Sequence, residues 1–133
     1  MKISVSDEFA TVFPNENIVQ ASSKLTKGII HEVVVDVQGK LVGLITKTDI
    51  IQVFLSDKDP ENVLVEDIMD KNPRSMRYDA DLFDAIKVMV EEEIFTLPLV
   101  FDDHKVTGVL SVFDSLKLLY QMYHHEPKID LPK

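Results

Sequence analysis

Val42-Gly43-Leu44-Ile45-Thr46-Lys47-Thr48-Asp49 returns 65 residues later as Thr107-Gly108-Val109-Leu110-Ser111-Val112-Phe113-Asp114. Glycine meets glycine, aspartate meets aspartate, and a hydroxyl side chain stands three residues before each aspartate. The register continues upstream, where Ile29 falls on Ile94, Val35 on Val100, Lys40 on Lys105 and Phe13 on Tyr78. Self-similarity of this extent means two copies of one supersecondary unit, neither of which buries enough surface to fold alone.

Each copy reads as a short extended piece followed by helix, strand, turn, strand, helix. In the second copy Asp81 caps a helix with Leu82, Ile86, Met89 and Val90 on one face. Strands are predicted over 97–101 and 106–110, with Asp102-Asp103-His104-Lys105 as the turn. In the first copy Ile18, Ala21 and Leu25 mark a helix that Gly28 can end after Lys24 and Lys27, and strands follow over 32–37 and 41–45. The closing helices, 47–55 and 112–123, are apolar on more than one face, which predicts burial against another copy or subunit. Residues 56–62 form a polar, proline-containing connector. The expected organisation is repeat 1 over 1–64, repeat 2 over 65–126 and a tail over 127–133, in an α+β fold.

Composition limits the function classes. The chain has 133 residues, 45% of them hydrophobic, which suffices for one soluble core or two small halves packed together. It carries a net charge of −9; residues 1–65 hold 6 basic and 9 acidic side chains, and residues 66–133 hold 8 and 14. Such a surface repels polyphosphate, so neither nucleic acid nor an anionic membrane is an expected partner. No cysteine is present, which excludes disulfides and thiolate metal sites and suits a reducing compartment. No apolar run approaches the roughly 20 residues needed to span a bilayer, and residues 1–8 lack a signal-peptide core. A cytoplasmic protein is the expectation.

Chemistry concentrates at the repeated hydroxyl-x-x-Asp. Thr46 and Ser111 stand where a strand hands over to a helix, with Asp49 and Asp114 at the third helical position. Ser/Thr-x-x-Asp is a capping box that satisfies helix N–H groups with no ligand present. The same spacing also suits a nucleoside phosphate: a hydroxyl and free N–H groups hold phosphate, and a carboxylate accepts ribose hydroxyls. Both readings stay open on the residues alone. The four histidines lack zinc-ligand spacing, and no phosphate loop or nucleophile elbow occurs, so the chain reads as a non-enzyme without a metal.

The segments Gly39-x-Leu41-Val42-Gly43-Leu44-Ile45-Thr46-x-x-Asp49 and Leu97-Pro98-Leu99-Val100, with Val106-x-Gly108-Val109-Leu110-Ser111-x-x-Asp114, resemble a pair of cystathionine beta-synthase (CBS) domains. Val65-Glu66-Asp67-Ile68-Met69 resembles the segment that opens many repeats of that family. The resemblance covers residues 5–123. It implies a Bateman module: two β-α-β-β-α repeats packed with pseudo-twofold symmetry, two clefts between them, and a homodimer formed through the helices. It further implies an adenosine ligand, AMP, ADP, ATP or S-adenosylmethionine, and an effector protein that the module regulates as a stand-alone unit.

Carried over by position, Asp49 and Asp114 match ribose-binding acids, and Thr46 and Ser111 match phosphate-side hydroxyls. His31 and Thr96 stand where relatives that hold phosphate strongly carry Arg, so the expected preference is AMP over ATP. Lys47, Arg74 and Arg77 are the cations that could compensate. The lead-in of the first copy is five residues shorter than that of the second. This favours Arg74, Ser75 and Met76, after Pro73, as walls of a base pocket in the second cleft, while Thr46 and Lys47 make the first cleft the better phosphate grip. Ile30, Val33, Phe95 and Pro98 are candidate base-pocket lining, with strand core as the alternative. The competing function is a ligand-free dimerisation or interaction module.

Overall fold

The computed structural model describes residue 3 and residues 8–26 and 31–125. The proposed Gly28 stop with Lys27, the candidate lining residue Ile30, residues 4–7 of the first copy's lead-in and the tail over 127–133 lie outside the described residues. Twelve elements follow in chain order: β1 (Ala10–Val12), α1 (Ile18–Leu25), β2 (Glu32–Val35), β3 (Leu41–Ile45), α2 (Lys47–Leu55), a 3-10 turn (Pro60–Asn62), α3 (Val65–Ile68), β4 (Met76–Arg77), α4 (Leu82–Glu91), β5 (Thr96–Val100), β6 (Val106–Ser111) and α5 (Val112–His125). They form two three-stranded sheets, ordered β1-β2-β3 and β4-β5-β6, each with a parallel first pair and an antiparallel hairpin.

The hairpins carry the repeat residue for residue. Glu32, Val33, Val34 and Val35 oppose Ile45, Leu44, Gly43 and Leu41, while Leu97, Pro98, Leu99 and Val100 oppose Leu110, Val109, Gly108 and Val106. Both ladders are interrupted at the same place, between Val34 and Val35 and between Leu99 and Val100. The turn tips share a backbone conformation as well: Gly39 has φ 83° and His104, its counterpart, φ 70°. Glycine adopts that left-handed region freely, whereas a histidine there is strained.

Around this shared frame three apolar clusters form. Val12, Ile18, Ala21, Val34, Ile45, Ile50 and Val53 make the first core, and Leu82, Ala85, Met89, Leu97, Leu99 and Leu110 make the second. The third lies between the sheets, where Val33, Val35 and Leu41 of the first half meet Val100 and Val109 of the second, with Leu44 and Val106 against them. Val33 is therefore strand core.

The segment that opens the second repeat does not pack on that repeat. Val63, Val65, Ile68 and Met69 belong to the first core, and Leu44 exchanges backbone hydrogen bonds with Asp70 at 3.0 and 2.9 Å. Conversely Ile3, at the start of the chain, packs against the second core. At these described residues each half thus packs on the core of the other. Gly43 permits the first of these contacts, because a Cβ there would come within 2.5 Å of Met69 Sδ and 3.0 Å of the Asp70 carbonyl oxygen.

Local differences from the expected elements have simple causes. β2 stops at Val35, since the Asp36 side chain accepts from the Gln38 and Lys40 N–H groups and closes the turn. Val90 is exposed instead of sharing the buried stripe of α4. In the first parallel pair Val12 opposes Val34, and in the second Met76 opposes Leu99. Met76, not Arg77, is thus the counterpart of Val12, so the repeat slips by one residue there and the Phe13–Tyr78 equivalence does not hold.

Gly43→Ala is expected to destabilise the protein by about 1–3 kcal/mol through overpacking against Met69. His104→Gly should stabilise it by about 0.5–1 kcal/mol by relieving the left-handed strain. Urea unfolding of the two variants beside the wild type measures both.

Candidate functional site

Two clefts open where the hairpins end. The first, of about 350 Å³, is lined by His31, Glu32, Leu44, Ile45, Thr46, Lys47, Thr48, Phe95 and Thr96. The second, of about 390 Å³, is lined by His31, Phe95, Thr96, Ser111, Val112, Phe113 and Leu116. His31, Phe95 and Thr96 border both. His31 and Thr96 occupy equivalent positions, and their side chains meet, with Thr96 Oγ1 3.3 Å from His31 Nδ1. The approximate twofold axis therefore passes between the two clefts.

The clefts are built from equivalent positions carrying different chemistry. Thr46, Lys47 and Thr48 stand at the N-terminus of α2 in the first; Ser111, Val112 and Phe113 take their places at the N-terminus of α5 in the second. A hydroxyl-bearing helix start with a lysine favours an anion. The second cleft presents a mainly apolar wall of Phe95, Val112, Phe113 and Leu116.

Six of the residues singled out in the sequence, His31, Thr46, Lys47, Phe95, Thr96 and Ser111, come together around these clefts. The others sit elsewhere. Asp49 closes a capping box, its carboxylate accepting the Thr46 N–H at 3.3 Å while its own N–H donates to Thr46 Oγ1 at 3.2 Å. Asp49 borders a separate hollow with Gln52, Ser56 and Lys58. The Asp114 N–H donates to Ser111 Oγ at 3.0 Å, and Asp114 is half-buried without lining either cleft. Pro98 is fully buried in β5. Arg74 pairs with Glu92 at 3.2 Å, Met76 packs on the second core, and Ser75 between them lines neither cleft. Arg77 is held by Asp79 and Asp102.

Of the cleft residues that the sequence reading did not single out, Glu32 carries the most chemistry. Glu32 is 1% exposed, and neither carboxylate oxygen has a hydrogen-bond partner. Burial raises its pKa to about 7, with Lys24 opposing the shift and Glu16 adding to it. Lys24 is already engaged, donating to the Thr11 carbonyl at 2.7 Å and to Glu16 Oε1 at 3.1 Å. The counterpart of Glu32 is Leu97, in the middle of the second core. A charged residue on an apolar position of the internal repeat was the available signal.

Among the described residues no group of three His, Asp or Glu side chains could hold a metal ion, and no helix is long and apolar enough to cross a membrane.

The CBS-domain model matches residues 2–56 and again 65–120, and the chain belongs to the CBS-domain family. An uncharacterised protein of Methanopyrus kandleri is 32% identical over 107 residues, covering 79% of this chain and 55% of its own length. An inosine-5'-monophosphate dehydrogenase of Methanocaldococcus jannaschii is 30% identical over 85% of this chain, which spans 22% of that enzyme. Among solved structures, a CBS domain pair in complex with 5'-methylthioadenosine and S-adenosylmethionine superposes with a TM-score of 0.74 at 29% identity, covering 87% of this chain and 90% of the other. A CBS-pair protein of Arabidopsis thaliana shares the fold, with a TM-score of 0.75 at 23% identity and coverage of 88% and 89%.

The buried acid has a consequence for stability. Folded Glu32 keeps its proton to about pH 7, whereas the unfolded chain releases it in the usual carboxylate range near 4.5. The folded state therefore binds more protons across that window and loses stability as the pH rises through it, by about 3 kcal/mol in full. Glu32→Leu should remove this loss. Urea unfolding at about pH 5 and pH 8 should show a drop in the wild type larger by about 2–3 kcal/mol than in the variant.

Proposed function

We propose that the protein is a regulatory CBS pair that binds an adenosine ligand, AMP in preference to ATP, in the first inter-repeat cleft. The observation that carries this reading is the meeting of Thr46, Lys47 and Thr48 with His31 and Thr96 in one cleft at a helix N-terminus. The hydroxyls and the first N–H groups of α2 suit a phosphate, Lys47 supplies its counter-charge, and Phe95 gives a flat apolar wall for a base. One lysine, a net charge of −9 and an acid in the same cleft favour one phosphate over three. The relative that carries 5'-methylthioadenosine and S-adenosylmethionine supports the adenosine class. S-adenosylmethionine in place of a nucleotide is the second ligand reading.

Occupancy then acts by stabilising one arrangement of the two repeats over another, which an effector protein distinguishes. The ribose role that the resemblance gives to Asp49 is compatible with its capping box, since only Oδ2 is engaged there and Oδ1 keeps its lone pairs. Calorimetric titration with AMP, ATP and S-adenosylmethionine tests the reading. AMP should bind more tightly than ATP, and Lys47→Ala should weaken AMP by about tenfold, a loss typical of one charge-assisted contact. Asp49→Ala discriminates a ribose acid, whose loss weakens every adenosine ligand, from a cap, whose loss lowers the melting temperature alone. Absence of heat with all three ligands at millimolar concentration overturns the proposal.

The helices support a second element of this reading, a homodimer. Ile51, Phe54 and Leu55 on α2 and Phe113, Leu116, Tyr120 and Tyr123 on α5 are all more than half exposed. So much apolar surface on two helices suits an isologous contact with a second copy. Sedimentation velocity should find a dimer that Phe54→Asp, which lies outside both clefts, converts to monomer; a monomeric wild type overturns this part.

A further inference from the structure

Glu32 is the first residue of β2 and faces the side of the sheet that α1 covers, as does Val34, yet it also borders the first cleft at the strand end. Lys24 and Glu16 are the charged groups that act on it most. From α1 comes Lys24, engaged by the Thr11 carbonyl and by Glu16 ahead of the helix. From α2 comes Lys47, and from the residue preceding β2 comes His31, both lining the same cleft. The second half contributes Phe95 and Thr96, which carry no charge. Glu32 thus borders a cleft of about 350 Å³, with its carboxyl shielded from solvent and, among the described residues, without a hydrogen-bond partner, beside a lysine and a helix start that otherwise favour anions.

An unpartnered buried acid costs stability, and a leucine at this position, as in the second repeat, would not. A charge in a low-dielectric setting is poorly screened, so the sign of the Glu32 carboxyl bears on the cleft that this residue borders. Ionised, it repels a phosphate and attracts a cation; neutral, it leaves the field to Lys47 and the helix dipole.

We infer that Glu32 is a charge selector of the first cleft, whose protonation admits anionic adenosine ligands and whose ionisation turns the cleft toward a cationic one such as an adenosyl sulfonium. This deepens the adenosine-binding reading and rests on it. The near-neutral titration of the buried carboxyl places the change within the physiological range. Binding of an anion then takes up a proton, and binding of a sulfonium releases one.

The test is calorimetry with AMP, S-adenosylmethionine and the uncharged 5'-methylthioadenosine, at about pH 6 and pH 8, on the wild type and on Glu32→Gln, which keeps the shape of the neutral acid. For the wild type, AMP affinity should fall about three- to tenfold on raising the pH, S-adenosylmethionine affinity should rise by a similar factor, and 5'-methylthioadenosine should change less than about twofold. In the variant the first two changes should shrink to what the ligands contribute by their own titration. Titrations in buffers of different ionisation enthalpy should show proton uptake with AMP in the wild type that Glu32→Gln lacks. Equal pH dependence in both proteins overturns the charge selector while leaving adenosine binding intact. Failure of all three ligands to bind either protein overturns the functional reading beneath it.

Discussion

Four backbone groups at the centre of the molecule determine most of what surrounds them. The Leu41 N–H donates to the His104 carbonyl at 3.0 Å, and the Val106 N–H donates to the Gly39 carbonyl at 3.1 Å. Each bond is the image of the other under the internal repeat, so together they pin the two hairpin turns across an approximate twofold axis. The apolar layer of Val33, Val35, Leu41, Val100 and Val109 then holds the sheets face to face. Once turns and layer are fixed, the opposite hairpin ends must face each other too, and His31 meets Thr96 there. The clefts are a by-product of this closure: hairpins joined at their turns leave space where the strands give way to helices.

Symmetry of the backbone leaves the chemistry free to diverge. Lys47 corresponds to Val112 in the repeat, Thr48 to Phe113, and Glu32 to Leu97, while the hydroxyls Thr46 and Ser111 are kept. The retained hydroxyls have a structural role in both halves, each accepting the N–H of the aspartate three residues on. The replaced positions are those where the backbone makes no such demand. A first cleft with hydroxyls and a lysine and a nearly all-apolar second cleft therefore arise on one scaffold whose hairpins keep the same register.

What could be read from the sequence follows the range of the interactions involved. The hairpins were legible because strand alternation and turn residues are local, and α2 because Thr46 and Asp49 state its start within four residues. Resemblance supplied the pseudo-twofold arrangement. The packing of each half on the other's core was not legible: Val65 and Met69 are apolar wherever they pack, and nothing local says that they cover the first core and not the second. The one-residue slip at Met76 had the same cause, since a parallel pair two or three residues long leaves almost no pattern to align. Glu32 was passed over because a lone acid in a strand ordinarily faces solvent, and only its pairing with Leu97 gives its burial away.

The crossed packing of the two halves also bears on how a ligand would act. Because Val63, Val65 and Met69 are anchored in the first core while the chain continues into the second sheet through Met76, the halves are tied at a second place besides the hairpin turns. Two ties and an apolar layer oppose separation of the sheets, so a ligand would act on the angle between the repeats and not on their distance. A ligand filling the first cleft would touch His31 and Lys47 from one half and Phe95 and Thr96 from the other, and it would bear on that angle directly. His31, Phe95 and Thr96 also line the second cleft, so a change of that angle would change its shape. Two sites that share three wall residues do not fill independently, and the sign of their coupling depends on whether both favour the same angle between the repeats.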